Sequence, residues 1–207
     1  MEGGKGDDII NGGDGADDIE GGSGDDILDG EDGDDEISGG EGDDILKGGA
    51  TGAGSTIYQE VLRGGPGDDL MYGGSSKTDR GGIPVSADRG ASNFSGRLYM
   101  YGDDGDDEMW GKDNMEEEYF WGGEDDDFIR PGSGANIIIA NGNDGDDILY
   151  SGVRTIESEK LIGGKGDDKI NPIELAFDAN GDVDVDNTKW VFDMSEDYNY
   201  GSATITY

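Results

Sequence analysis

The chain has 207 residues, 42 of them glycine; only 31% are hydrophobic, and 51 Asp and Glu against 14 Lys and Arg leave a net charge of −37. That balance excludes nucleic-acid binding, which needs cationic side chains to displace counterions, and it disfavours anionic membranes and polysaccharides unless a cation bridges them. Cys and His are both absent, which removes disulfides, thiol chemistry and histidine-based catalysis or metal ligation, and no apolar run reaches membrane-spanning length.

Residues 3–47 read GGKGDDIIN, GGDGADDIE, GGSGDDILD, GEDGDDEIS and GGEGDDILK, five nonapeptides in direct succession. The shared form is G-G-x-G-x-D-x-U-x, with U Ile or Leu. Its first six residues are a turn, because glycine permits positive φ and close backbone approach. Packed turns expose carbonyl oxygens, and the sixth-position Asp adds a carboxylate. These are the hard oxygen donors that calcium takes six to eight at a time. The remaining x-U-x is a short strand with one side chain inward and its neighbours outward.

After Lys47 the tandem is interrupted on a pattern. Counting each strand-ending unit as one repeat, the seventh (GGPGDDLMY, 64–72), ninth (GDDGDDEMW, 102–110), eleventh (GGEDDDFIR, 122–130), thirteenth (GNDGDDILY, 142–150) and fifteenth (GGKGDDKIN, 163–171) keep the acidic turn. Every even repeat from the sixth onward is irregular. The sixth and eighth carry insertions, the twelfth places Asn136 where Asp belongs, and the fourteenth has lost the turn motif.

These repeats resemble the RTX (repeat-in-toxin) family of calcium-binding nonapeptides. The resemblance implies an all-β, right-handed parallel β-roll, a β-solenoid in which two nonapeptides make one coil. Each turn then stacks on the turn two repeats later, with calcium between stacked turns. All odd turns fall on one edge and predict an unbroken calcium row along Asp8, Asp26, Asp44, Asp69, Asp107, Asp127, Asp147 and Asp168. Asp17 and Asp35 start a shorter row on the other edge. Eight stacked turns leave seven gaps, so the expected cofactor is Ca2+, about eight or nine ions. The weakest position is around Asp125, where the fourth-position glycine is lost.

The U positions predict the core: Ile10, Leu28, Leu46, Met71, Met109, Ile129, Leu149 and Ile170 on one sheet, and Ile19, Ile37, Leu62, Met100, Phe120, Ile138 and Leu161 on the other. One inward residue per repeat is a thin core. With so acidic a composition, the chain is expected to be unfolded without calcium and folded with it, metal binding becoming folding energy.

Outward positions turn apolar along the chain. Tyr99, Tyr101, Tyr119, Trp121 and Ile139 form a candidate interface; the competing reading is a cross-rung ladder that only stabilises the sheet. Residues 75–97 read as a Ser/Gly-rich loop. Residues 1–171 are expected to form the roll, with insertions on one edge, and 172–207 a C-terminal β cap built from a turn at 178–182 and strands at 189–192 and 203–207.

The repeat starts at Gly3 without a cap, and the exposed coil edge that follows has two explanations, removal of upstream repeats or a head-to-tail neighbour. The expected function is a non-enzymatic, extracellular, calcium-binding structural or adhesive protein. It is expected to self-associate through coil ends or apolar outer strand faces, as a filament or matrix subunit. The alternative is the C-terminal secretion and folding module of a larger type I-secreted enzyme or toxin. A third reading has the aromatic rows bind a glycan.

Overall fold

The computed structural model describes residues 1–49, 58–74, 96–113, 115–132, 134–152, 158–171, 189–193 and 204–205. The loop expected within residues 75–97 and the turn at 178–182 lie outside the described residues, save Gly96 and Arg97. All described regular structure is β, and every pairing between strands is parallel.

The first nine-stranded sheet holds β1 (Glu2–Lys5), β3 (Asp18–Ser23), β5 (Glu36–Glu41), β7 (Tyr58–Pro66), β9 (Gly96–Asp104), β11 (Glu117–Glu124), β13 (Ile137–Asp144), β15 (Ser158–Lys165) and β17 (Lys189–Asp193) in that order. The second holds β2 (Ile9–Asp14), β4 (Ile27–Asp32), β6 (Ile45–Lys47), β8 (Leu70–Tyr72), β10 (Glu108–Trp110), β12 (Phe128–Arg130), β14 (Ile148–Tyr150), β16 (Lys169–Asn171) and β18 (Thr204–Ile205). The chain alternates between sheets and each strand pairs with the one two elements on, so two repeats make one coil of a β-solenoid. β17 and β18 carry both sheets one coil beyond the last nonapeptide.

The core is a double column of U-position side chains. On the second sheet Leu28, Leu46, Met71, Met109, Ile129, Leu149 and Ile170 are stacked and buried, with Ile10 half-buried at the first coil. On the first sheet Ile19, Ile37, Leu62, Met100 and Phe120 follow the expected positions. The twelfth repeat does not. Phe120 pairs with Ala140, which pairs with Leu161, so Ala140 takes the U position and Ile138 lies two residues earlier, level with Glu118 and Glu159. The sixth-position place therefore belongs to Ile138 and not to Asn136. A two-residue shift keeps the in-out alternation of a strand, so only cross-rung pairing distinguishes the two registers.

The irregular even repeats are also thicker than one inward residue each. β7, β9, β11, β13 and β15 run eight or nine residues and point a second side chain inward: Glu60, Leu98, Glu118, Ile138 and Glu159, all buried. Met115 and Ala135 add further buried surface.

Candidate metal centre along the stacked turns

The odd turns carry the chain from the first sheet to the second, and all eight predicted aspartates come together on that edge. The Asp8 N–H donates to Asp26 Oδ1 (2.7 Å), Asp26 to Asp44 (2.7 Å), Asp44 to Asp69 (2.8 Å), Asp69 to Asp107 (2.9 Å), Asp107 to Asp127 (3.0 Å), Asp127 to Asp147 (2.9 Å) and Asp147 to Asp168 (3.0 Å). Seven links join eight coils without a gap, although the insertions between them vary in length. On the opposite edge the Asp17 N–H donates to Asp35 Oδ1 (3.0 Å).

Each sixth-position carboxylate thus uses one oxygen. The second, Oδ2, is buried without a hydrogen-bond partner at Asp8, Asp17, Asp26, Asp35, Asp44, Asp69, Asp107, Asp127 and Asp147. Buried carboxylate oxygens are costly unless a proton or a cation compensates them. The first glycine of each turn faces the same point. A Cβ on Gly3 would meet Asp8 Oδ2 and the Gly21 carbonyl oxygen, each at 2.7 Å; one on Gly12 would meet the Gly30 carbonyl oxygen at 2.7 Å and Asp17 Oδ2 at 2.8 Å. Gly39, Gly64, Gly102, Gly122 and Gly142 repeat the arrangement against the next coil. Carboxylate and carbonyl oxygens therefore converge on a space that any side chain would fill. Among the described residues no three acidic side chains gather at one point, so a cation here would be held largely by backbone carbonyls, which suits calcium.

Burial pushes carboxyls on both edges up: Asp35 and Asp44 to about 6, Asp107 and Asp147 to about 7, Asp69 to about 8 and Asp127 to about 9, against backbone N–H donors that pull them down. In calcium-free solution the roll binds more protons than the unfolded chain. The stability these groups give it is present at acid pH and is lost as pH rises through about 6 to 9. With excess EDTA, far-UV strand signal is expected to be greater at pH 5 than at pH 8.5, and equal signal at both would contradict this. Calcium must displace those protons, so its half-saturation concentration is expected to rise as pH falls from 9 to 6.

A second acidic ladder was not anticipated. Fifth-position aspartates link in the opposite direction: the Asp25 N–H donates to Asp7 Oδ1 (3.2 Å), Asp43 to Asp25 (3.1 Å), Asp68 to Asp43 (3.1 Å), Asp106 to Asp68 (3.1 Å), Asp126 to Asp106 (2.9 Å), Asp146 to Asp126 (2.8 Å) and Asp167 to Asp146 (2.8 Å). The recurring D-D pair was the available signal. Each odd turn is tied forward by its buried Asp and backward by its exposed one.

The even edge changes chemistry after Asp35. Glu118 is fully buried; its Oε1 accepts the Lys112 N–H (2.7 Å) and its Oε2 the Gly132 N–H (2.9 Å). Burial pushes Glu118 up to about 8 against the pull of these two donors. Glu159 accepts the Gly152 N–H (2.7 Å) and the Ser151 hydroxyl (2.8 Å). In the acidic turns carbonyl oxygens point inward and call for a cation; here N–H groups point inward and a carboxylate answers them. A glutamate two residues before the U position was the sequence signal for this substitution.

The fourth-position exception is strained. Asp125 has φ 78°, and Glu31, Asp103 and Asn143 hold φ 67°, 82° and 79° at second-glycine positions. Left-handed backbone costs an L-residue about 1–2 kcal/mol. Asp125→Gly is expected to stabilise the calcium-loaded protein by roughly 0.5–1 kcal/mol, net of the freedom glycine gives the unfolded chain. Thermal denaturation checks this, and a lower midpoint would contradict it.

The five predicted interface residues share one face of the first sheet. Tyr99 stacks on Tyr119 with centroids 5.0 Å apart and planes 7° apart, and Tyr101 on Trp121 at 4.7 Å and 4°. Ile139 pairs with Tyr119 on the next coil. The Arg63 guanidinium covers Tyr101 at 4.9 Å. All five are half-buried, and the rings lie face to face along the ladder.

The pattern of the RTX calcium-binding nonapeptide repeat, four copies, matches residues 1–28, 20–50, 57–76, 119–138 and 139–153, just over half of the chain. The chain belongs to this family. It is a calcium-binding repeat protein built as a β-roll. No curated protein and no solved structure matches it. The RTX ladder extends past the matched residues, since Asp107 and Asp168 join the row in register. Among the described residues no helix is long and apolar enough to cross a membrane.

Proposed function

We propose that this chain is an extracellular, calcium-dependent structural or adhesive roll, non-enzymatic in itself, whose folding and self-association share one calcium switch. The observation that carries the calcium dependence is the row of buried, unpartnered Oδ2 atoms, each beside a carbonyl-lined cradle. The ligands in this reading are Asp8, Asp26, Asp44, Asp69, Asp107, Asp127, Asp147 and Asp168 on the odd edge, with Asp17 and Asp35 on the other. RTX repeats are typical of secreted proteins, and a millimolar calcium supply outside the cell suits a roll that needs many ions. Self-association is supported by exposed aliphatic surface on the second sheet, where Ile9 is 75% and Ile27 36% exposed. Ile9 and Ile27 pair across adjacent coils, and contiguous exposed apolar surface is where a second copy would dock.

The second reading is the folding and export module of a larger secreted protein, which the family resemblance supports. Glycan binding is the weakest of the three, because the aromatic faces that a sugar would stack on are spent on one another. Light scattering in millimolar calcium and again in excess EDTA separates the first two. Large particles only with calcium are the expected result; a compact monomer in calcium, expanding in EDTA, would transfer the function to the module reading.

A further inference from the structure

We propose that Lys112 is a tethered substitute for calcium, and that its ammonium ends the calcium row on the even edge after a single ion. The inference rests on the calcium reading above.

On this edge the turn containing Asp35 stacks beneath the sixth repeat. A Cβ on Gly30 would run into Asp35 Oδ2 and meet the Gly48 carbonyl oxygen at 2.8 Å, the same convergence of carboxylate and carbonyl that marks the acidic turns. The next carbonyl, Gly49 O, accepts a hydrogen bond from Lys112 Nζ at 2.7 Å. Lys112 is only 4% exposed, which is rare for a lysine without anionic or carbonyl partners. It belongs to the tenth repeat, two coils from Gly49, since the Gly48 N–H bonds Tyr72 O and the Gly73 N–H bonds Trp110 O.

The lysine side chain runs past Gly73 and Gly74 of the intervening coil. A Cβ on Gly73 would lie 3.4 Å from Lys112 Cβ, and one on Gly74 4.0 Å from Lys112 Cγ. The lysine's own backbone is held by Glu118 Oε1 at 2.7 Å, so the root of the side chain is fixed. The ammonium donates to Gly49 O and sets one positive charge facing Asp35, whose Oδ2 accepts no hydrogen bond and would otherwise recruit a divalent ion. It needs no calcium in solution to do so. Beyond it, Glu118 and Glu159 cap backbone N–H groups, while in the turn between Asp35 and Glu118 the buried Oε1 of Glu60 lies where a Gly48 Cβ would meet it at 2.6 Å.

Calcium bound per chain, measured by equilibrium dialysis with atomic absorption on the full chain, tests this. Lys112→Met is expected to bind one more calcium than the unsubstituted protein, and Lys112→Arg to match the unsubstituted count. Equal, non-zero counts for Lys112→Met and the unsubstituted protein would overturn the lysine proposal while leaving calcium binding intact; zero in all three would strike the calcium reading itself. Should Lys112→Met not fold, amine acylation of the unsubstituted, calcium-loaded protein decides. Lys112 is expected to stay unmodified while Lys165, 67% exposed, is fully acylated, and modification of both at one rate would overturn the proposal.

Discussion

Excess EDTA at pH 8 is expected to abolish most of the far-UV strand signal and expand the chain, with full recovery on returning to millimolar calcium. The reason is the disproportion between the chain's core and its charge. The buried apolar residues form two columns thickened by Leu98, Met115, Ala135 and Ile138, each large side chain worth about 2 kcal/mol, while fixing each backbone residue costs about 1–2 kcal/mol. The nine buried aspartate Oδ2 atoms add a desolvation cost that only a proton or a cation removes. One site at a hundredfold excess of free calcium over its dissociation constant adds about 2.7 kcal/mol, and the odd edge offers seven such intervals. Circular dichroism and hydrodynamic radius check the prediction. A chain that keeps its strand signal and radius in EDTA would show the roll to be self-sufficient.

The second large effect is a contrast between the two edges. Asp127→Asn preserves shape and keeps an acceptor for the Asp107 N–H, but removes the charge at the centre of the odd row. Charged contacts of this kind are worth about 1.5–3 kcal/mol, so calcium half-saturation is expected to rise about ten- to hundredfold. Glu118→Gln removes an acceptor for one of two buried N–H groups and is expected to cost about 1–3 kcal/mol. At about 2–4 °C per kcal/mol for a chain of this size, its thermal midpoint falls with calcium stoichiometry and affinity unchanged. Isothermal titration and thermal denaturation of both variants separate the two; a calcium defect in Glu118→Gln would show that the even edge binds metal after all.

What was legible in the sequence divides along the same line. Where the nonapeptide is intact, the glycine spacing fixes the turn and the U residue fixes the strand. Asp8 to Asp168 could therefore be placed on one edge across insertions of unequal length, and Leu28 to Ile170 in one column. Where the turn motif fails, only the period-two alternation of the strand remains, and it cannot tell Ile138 from Ala140. Alignment from the U position backward would have put Glu60, Glu118 and Glu159 in one file with Asp35. Lys112 was not legible at all, because its partner, Gly49 O, is a backbone atom two coils away. Nor did the sequence separate the two uses of the Tyr99–Trp121 face, since stacking between rungs is a property of side-chain rotamers.

The most direct test of the calcium row is an anomalous difference map at long wavelength from crystals grown in millimolar calcium. Seven collinear peaks about 4.8 Å apart are expected between the turns of Asp8 and Asp168, and one on the other edge between the turns of Asp17 and Asp35. Peaks divided evenly between the two edges, or a row broken at Asp107 or Asp127, would contradict it.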